Sequence, residues 1–292
     1  VNWILLATVS ALLSAAAAIA QKRVLVRISA LAFSFLVSLA VLAISLAVPF
    51  TTDVLAFDTP TLALLWGKSV LGGIAFLLVM TALKQDEISQ ALPLLGITPA
   101  VTALLAMPVL GEWLVGGQWL GLLLMLAGIG ALEARTGVGV LSGLRSILAG
   151  GRHRAVLGAI ALFAISSVAD KRLVSGMSVP PFVVMFHQHV IYALLFALLL
   201  LVRRHSWATL PRDARAHLPM LLAIAALTVG YRFFQLEATR EGPVALVLAV
   251  KRTSILYATL FGGRMFAEEK LATRLFGAAL IVAAGFLFLG SQ

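Results

Sequence analysis

The sequence predicts an all-α membrane protein of ten transmembrane helices arranged as two inverted five-helix repeats. Three observations carry that reading: too little charge for a water-facing surface, recurrent apolar stretches of spanning length, and a match of the chain with its own second half. Of the 292 residues, 61% are hydrophobic and 12% charged, and mean hydropathy is +1.06. An average soluble domain is about a quarter charged, so a soluble globular enzyme is excluded first. Uncharged apolar runs cover 1–21, 28–52, 88–111 and 113–132, and 173–202 carries two histidines as its only titratable groups. Each reaches the roughly 20 residues that cross a hydrocarbon core of about 30 Å.

The expected spans are 2–20, 29–49, 61–83, 88–110, 114–132, 154–173, 181–202, 217–236, 243–262 and 272–290. Together they leave no room for a soluble domain. The first run has no basic residue ahead of it, so it reads as a span and not as a cleaved signal peptide. Zero cysteines exclude a disulfide framework and a thiolate metal site.

Sliding the chain by 149 residues sets Gln21-Lys22-Arg23 over Asp170-Lys171-Arg172 and Phe33 over Phe182. Gly111-Glu112-Trp113-Leu114 matches Glu268-Glu269-Lys270-Leu271, and Gly128 and Gly285 each follow the corresponding Glu by 16 residues. The repeats are therefore 1–137 and 154–292, joined by a central loop at 138–153. Five spans per repeat is an odd number, so the second repeat enters the membrane upside down. The net charge of +10 reports basic loops and not nucleic-acid binding. Loops after odd-numbered spans hold 15 Lys and Arg against three after even-numbered spans. The positive-inside rule then puts the odd loops in the cytoplasm and both termini outside the inner (plasma) membrane.

These residues resemble the drug/metabolite transporter superfamily, in particular its EamA-type members. The resemblance lies in the fourth span, Ala91-Leu92-Pro93-Leu94-Leu95-Gly96-Ile97-Thr98-Pro99 running on to Gly111-Glu112, and in the ninth, Val250-Lys251-Arg252-Thr253-Ser254 running on to Glu269. It implies a carrier of small metabolites with a cavity between the halves, without identifying the metabolite.

Four basic residues fall inside expected spans: Lys68, Arg232, Lys251 and Arg252. A charge near the bilayer centre costs about 2.5 to 3.5 kcal/mol on insertion scales, so such residues face a polar cavity or a partner unless they reach the headgroups. Reaching out is open to Lys68 and Arg232 and less so to the Lys251–Arg252 pair. His187 and His189 are further polar candidates in the seventh span, either lining a cavity or packing. Two histidines two apart cannot form a metal site alone, so no metal or cofactor is expected. No acid is expected at membrane depth, which makes the four cations an attractor for carboxylate, phosphate or sulfate. Trp66 and Tyr231 are candidates to line the substrate path, with interfacial anchoring as the competing reading. Pro93, Gly96 and Pro99 mark the fourth span as a gate or a static kink, because proline removes backbone hydrogen bonds.

No Gly-x-x-x-x-Gly-Lys-Ser/Thr stretch exists, so gradients or exchange must drive transport. The leading expectation is a carrier of a small anionic or zwitterionic metabolite, embedded in the lipid bilayer and compatible with a monomer. Lys251–Arg252 is similar to the pair that grips phosphate in sugar-phosphate and nucleotide-sugar members, which keeps phosphate-bearing substrates open. An intramembrane enzyme would need an acid beside His187 or His189, and none is near in sequence.

Overall fold

The computed structural model describes residues 2–85, 94–121, 123–124, 154–203, 207, 209–266, 279 and 283. Its principal helices are α1 (Trp3–Leu25), α2 (Ala30–Thr51), α3 (Thr59–Gln85), α4 (Leu95–Leu110), α5 (Arg154–Lys171), α6 (Pro181–Val202), α7 (Leu210–Glu241) and α8 (Val244–Met265). They correspond to the expected spans one to four and six to nine. All but α4 and α5 are long and apolar enough to cross a membrane, and no strand occurs among the described residues. The fifth span beyond residue 124, all of the tenth span but residues 279 and 283, Pro93 and the central loop lie outside the described residues.

Local chemistry sets the helix ends. Asn2 and Ser29 accept the backbone N–H groups of Ile4 and Ala32, each supplying a partner the first turn lacks. Gly111 ends α4 at φ +70°, a conformation that glycine adopts without a Cβ clash. Close packing also requires glycine: a Cβ on Gly72 of α3 would stand 2.6 Å from the Tyr192 hydroxyl of α6.

Polarity is arranged for lipid. Leu5, Leu194, Leu198 and Leu201 are exposed, whereas Lys68 and Asp170 are each 2% exposed. In water this distribution would leave large apolar patches uncovered; in a bilayer it is the favourable one.

Most packing runs between the halves. α1 lies against α7 and α3 against α5; α2 meets α6 and α7, and α3 also meets α6; α1 touches α8, α4 touches α5, and α4 touches α8. Exchanging α1–α4 for α5–α8 reproduces the same set of pairings.

Helix ends sort into two groups. At one end Lys22 Nζ donates to the Leu83 carbonyl at 2.5 Å, Lys84 Nζ to those of Leu25 and Ile28 at 2.9 and 2.7 Å, and Arg23 reaches Met265. At the other, Val54 and Phe57 pack with Leu173, Val174, Met177 and Val179, and Lys171 Nζ donates to the carbonyls of Thr239 and Gly242 at 2.9 and 3.0 Å. Lys22 and Lys171, aligned by the 149-residue shift, thus each satisfy carbonyls at the end of the third helix of their own half.

Candidate functional site: a charged cavity between the halves

A cavity of about 160 Å³ lies between α1, α2, α3 and α4 on one side and α5, α6, α7 and α8 on the other. Of the expected site residues, Lys251, Arg252, Arg232, His189 and Tyr231 line it. Lys68, His187, Trp66, Gly96 and Pro99 do not, and Pro93 lies outside the described residues.

The expectation that no acid sits at this depth is overturned by Asp170. It stands at the end of α5, as a reading of the sequence places it, but it turns inward. Asp170 Oδ1 is 2.9 Å from Lys68 Nζ and its Oδ2 is 2.6 Å from Arg232 Nη2. Gln188 Oε1 accepts from the same two cations, at 2.8 Å from Lys68 and 2.9 Å from Arg232. Helices α3, α5, α6 and α7 are tied together by these four side chains. Lys68 therefore neither reaches the headgroups nor stands as a free cation in the cavity; it is one arm of a buried ion-pair network.

Lys251 and Arg252 have no carboxylate within ion-pair distance among the described residues. Lys251 Nζ donates to Gln235 Oε1 and sits 4.7 Å from the centre of the Tyr231 ring. Arg252 Nη2 donates to Thr98 Oγ1 at 2.9 Å, and Arg252 Nε is buried without a hydrogen-bond partner among the described residues. Both residues sit where α8 is interrupted: regular helix stops at Lys251, resumes at Ser254–Tyr257, and widens into a π turn over Ala258–Gly262.

The facing helix is broken too. Leu95–Ile97 form a 3₁₀ turn before regular helix starts at Thr98, with Pro99 in its first turn. Pro99 has no N–H for the Leu95 carbonyl. That carbonyl instead accepts from the Thr98 hydroxyl at 2.6 Å, and the same hydroxyl oxygen accepts from Arg252. The proline break and the ninth-span arginine are linked through one side chain.

The two histidines part company. Trp66 Nε1 donates to His187 Nδ1 at 3.2 Å, so His187 Nε2 carries the proton and donates to the Val54 carbonyl at 2.8 Å. This pair pins the α2–α3 connection. His189 instead donates from Nδ1 to the Met185 carbonyl at 2.8 Å.

Outside the cavity, Glu112 Oε2 accepts from the Val244 N–H at 3.0 Å, at the N-terminus of α8, and its Oε1 is 3.9 Å from Lys171 Nζ. Burial pushes the Glu112 carboxyl above its ordinary range, opposed by that N–H and by Lys171.

Asp170, Gln188, Gln235 and Thr98 line the candidate site and were missed by sequence reasoning. A signal for Asp170 existed: Phe163, Ser166, Ser167 and Asp170 share a helical face, and all line the cavity.

A polytopic helical bundle with a charged cavity enclosed between its two halves is the build of a membrane carrier. The chain belongs to the EamA-like transporter family, whose profile matches residues 1–132 and 154–290, and so to the drug/metabolite transporter superfamily. A solved crystal structure is similar over 98% of this chain and 95% of its own, at 20% identity and a TM-score of 0.70, which establishes a shared fold. Comparison with the curated proteins finds no match.

Proposed function

We propose that this transporter moves a small anionic or zwitterionic metabolite across the inner membrane by alternating exposure of the central cavity. The observation that carries the reading is the Lys251–Arg252 pair, which borders the cavity with no carboxylate beside it and with Arg252 Nε unpartnered among the described residues. An anionic group on the substrate would complete both side chains. The two interrupted helices that meet at Arg252 and Thr98 support the same location, because discontinuous helices recur at transporter substrate sites.

The proposed architecture is ten helices in two inverted repeats, 1–137 and 154–292. Its support is the set of pairings that survives exchange of the halves, the matching roles of Lys22 and Lys171, and the odd number of spans per repeat. The end that gathers Lys22, Arg23 and Lys84 is assigned to the cytoplasm by the positive-inside rule. Cysteines placed at Ser142 and Ser291 should then label from opposite sides with an impermeant thiol reagent; labelling from one side removes the inverted plan.

Phosphate-bearing substrates are the second reading, favoured by two adjacent cations with open donor capacity. A thermal-stability screen of carboxylates, amino acids and phosphate esters tests both. A ligand at 100 times its dissociation constant adds about 2.7 kcal/mol. Stabilisation that disappears in Lys251→Gln and Arg252→Gln supports the anion site. Ligands that stabilise wild type and both variants alike would remove it.

A further inference from the structure

We infer that His189 is a specificity-determining residue which accepts a hydrogen bond from a neutral donor on the substrate, so that the cavity selects anions bearing a hydroxyl group, such as hydroxycarboxylates or polyol phosphates. This rests on the anionic reading above and narrows it.

The inference comes from matching donors with acceptors. Lys68, Arg232, Lys251 and Arg252 are donors only. The acceptors that meet them are engaged: the Asp170 carboxylate through its ion pairs with Lys68 and Arg232, Gln188 Oε1 by the same two cations, Gln235 Oε1 by Lys251, and Thr98 Oγ1 by Arg252. Thr228 Oγ1 also lines the cavity without a partner among the described residues, but a hydroxyl can donate as well as accept and so does not demand a donor. His189 differs. It is 3% exposed and lines the cavity. A carbonyl cannot donate, so the contact with Met185 fixes the neutral ring as Nδ1–H and makes Nε2 a bare acceptor. Nε2 has no hydrogen-bond partner among the described residues.

A substrate that fills both the cationic donors and this acceptor needs an anionic group and a donor. The donor is neutral, because an ammonium would share the site with four cations against, among the described residues, the single Asp170 carboxylate. A site built around an acceptor rejects an analogue lacking the donor, since the acceptor is then desolvated and unpaired.

The test uses the full chain in lipid nanodiscs and matched probes: L-malate, succinate, which lacks the hydroxyl, and L-aspartate, which replaces it with an ammonium. Glycerol 3-phosphate with propyl phosphate forms the second pair. Malate is expected to bind at least tenfold more tightly than succinate or aspartate, or the glycerol ester at least tenfold more tightly than the propyl ester. His189→Phe should bring the hydroxyl preference to near unity while the hydroxyl-free probe still binds; His189→Gln, which keeps an acceptor oxygen, should restore part of it. Nitrogen-15 NMR of the histidine rings, assigned with His189→Gln, should show Nδ1 protonated and Nε2 bare. Equal binding within both pairs by wild type, with all binding lost in Lys251→Gln, would overturn the His189 inference and leave the anion site standing. A protonated Nε2, or a preference unchanged in His189→Phe, would also overturn it. Binding of no probe would remove both readings.

Discussion

Two pairs of cations stand at the central cavity or directly behind its wall, and they are held in opposite ways. Lys68 and Arg232 project from α3 and α7, which run as regular helices through these positions, and share one carboxylate and one amide. Lys251 and Arg252 project from a break in α8 and have an amide, a ring and a hydroxyl, but no acid among the described residues. A buried charge that is paired and hydrogen-bonded serves the fold, and removing its partner is costly. A buried charge left without a counter-ion on an interrupted helix costs the fold something that a ligand can offset. The pair of Lys68 and Arg232 is therefore assigned to structure, and the pair of Lys251 and Arg252 to binding.

The largest effect that would break this division is expected at Asp170. Asp170→Asn leaves two buried cations facing a neutral amide, and loss of one partner of a buried ion pair typically costs about 3–5 kcal/mol. Yield and thermal stability of the ligand-free protein should both fall sharply. A variant as stable as wild type would show that the Asp170 network does not hold the four helices together.

Next in size is Lys251→Gln, for which the division predicts the reverse pattern. Its ligand-free stability should be unchanged or raised, because an unpaired charge has been removed from a desolvated site. Affinity for the ligand found in the stability screen should drop by about 10- to 150-fold, the worth of one charge-assisted contact of about 1.5–3 kcal/mol. A variant that unfolds easily yet binds normally would place Lys251 with the structural pair.

How much of this could be read from residues alone follows from what sequence periodicity records. The apolar runs register burial in lipid, so α1, α2, α3, α6 and α8 emerged near their expected limits; α7 runs from Leu210 to Glu241, past the expected 217–236 at both ends, because its charged first and last turns continue the helix beyond the apolar window. The four cations were legible because charge is rare in such a chain. Their division into two kinds was not, since it depends on Asp170 approaching Lys68 across 102 residues of sequence. Asp170 stands next to Lys171 and Arg172, where a basic helix end hides an acid. His187 and His189 looked equivalent because only three-dimensional neighbours, Trp66 and Val54 for one and the Met185 carbonyl for the other, fix which ring nitrogen is protonated.

Gating sharpens the comparison by asking whether the broken pair of helices moves while the unbroken pair stays. Pro99 occupies the first turn of the regular part of α4, where its missing N–H costs little. Pro99→Ala can extend the helix backward through Leu95 and withdraw that carbonyl from the Thr98 hydroxyl. Turnover is expected to fall by roughly an order of magnitude with a much smaller change in ligand affinity, as for substitutions that affect a conformational step. Transport assays in proteoliposomes set beside equilibrium binding measure both. Unchanged turnover at normal expression would leave the break as static packing.

The smallest effect belongs to the partly buried pair of Glu112 and Lys171, which lies outside the cavity and calibrates the two pairs at it. Burial raises the Glu112 carboxyl above its ordinary value of 4.5, so between that value and its folded value the native state holds more protons than the unfolded chain. Stability contributed by this group is full below 4.5 and falls as pH rises through the folded value. Glu112→Gln keeps an oxygen for the Val244 N–H and cannot ionise. The loss of stability on going upward from pH 4.5, read as a fall in melting temperature, should therefore be shallower in the variant than in wild type, the difference in free energy being no more than about 1 kcal/mol, the usual range for pairs that water can reach. Thermal scans of both proteins over that range, at constant ionic strength, make the comparison. A steeper fall in the variant would mean that the contact with Lys171 outweighs burial, and that this partly buried pair stabilises the turn between α7 and α8 as a true ion pair in the manner of Asp170.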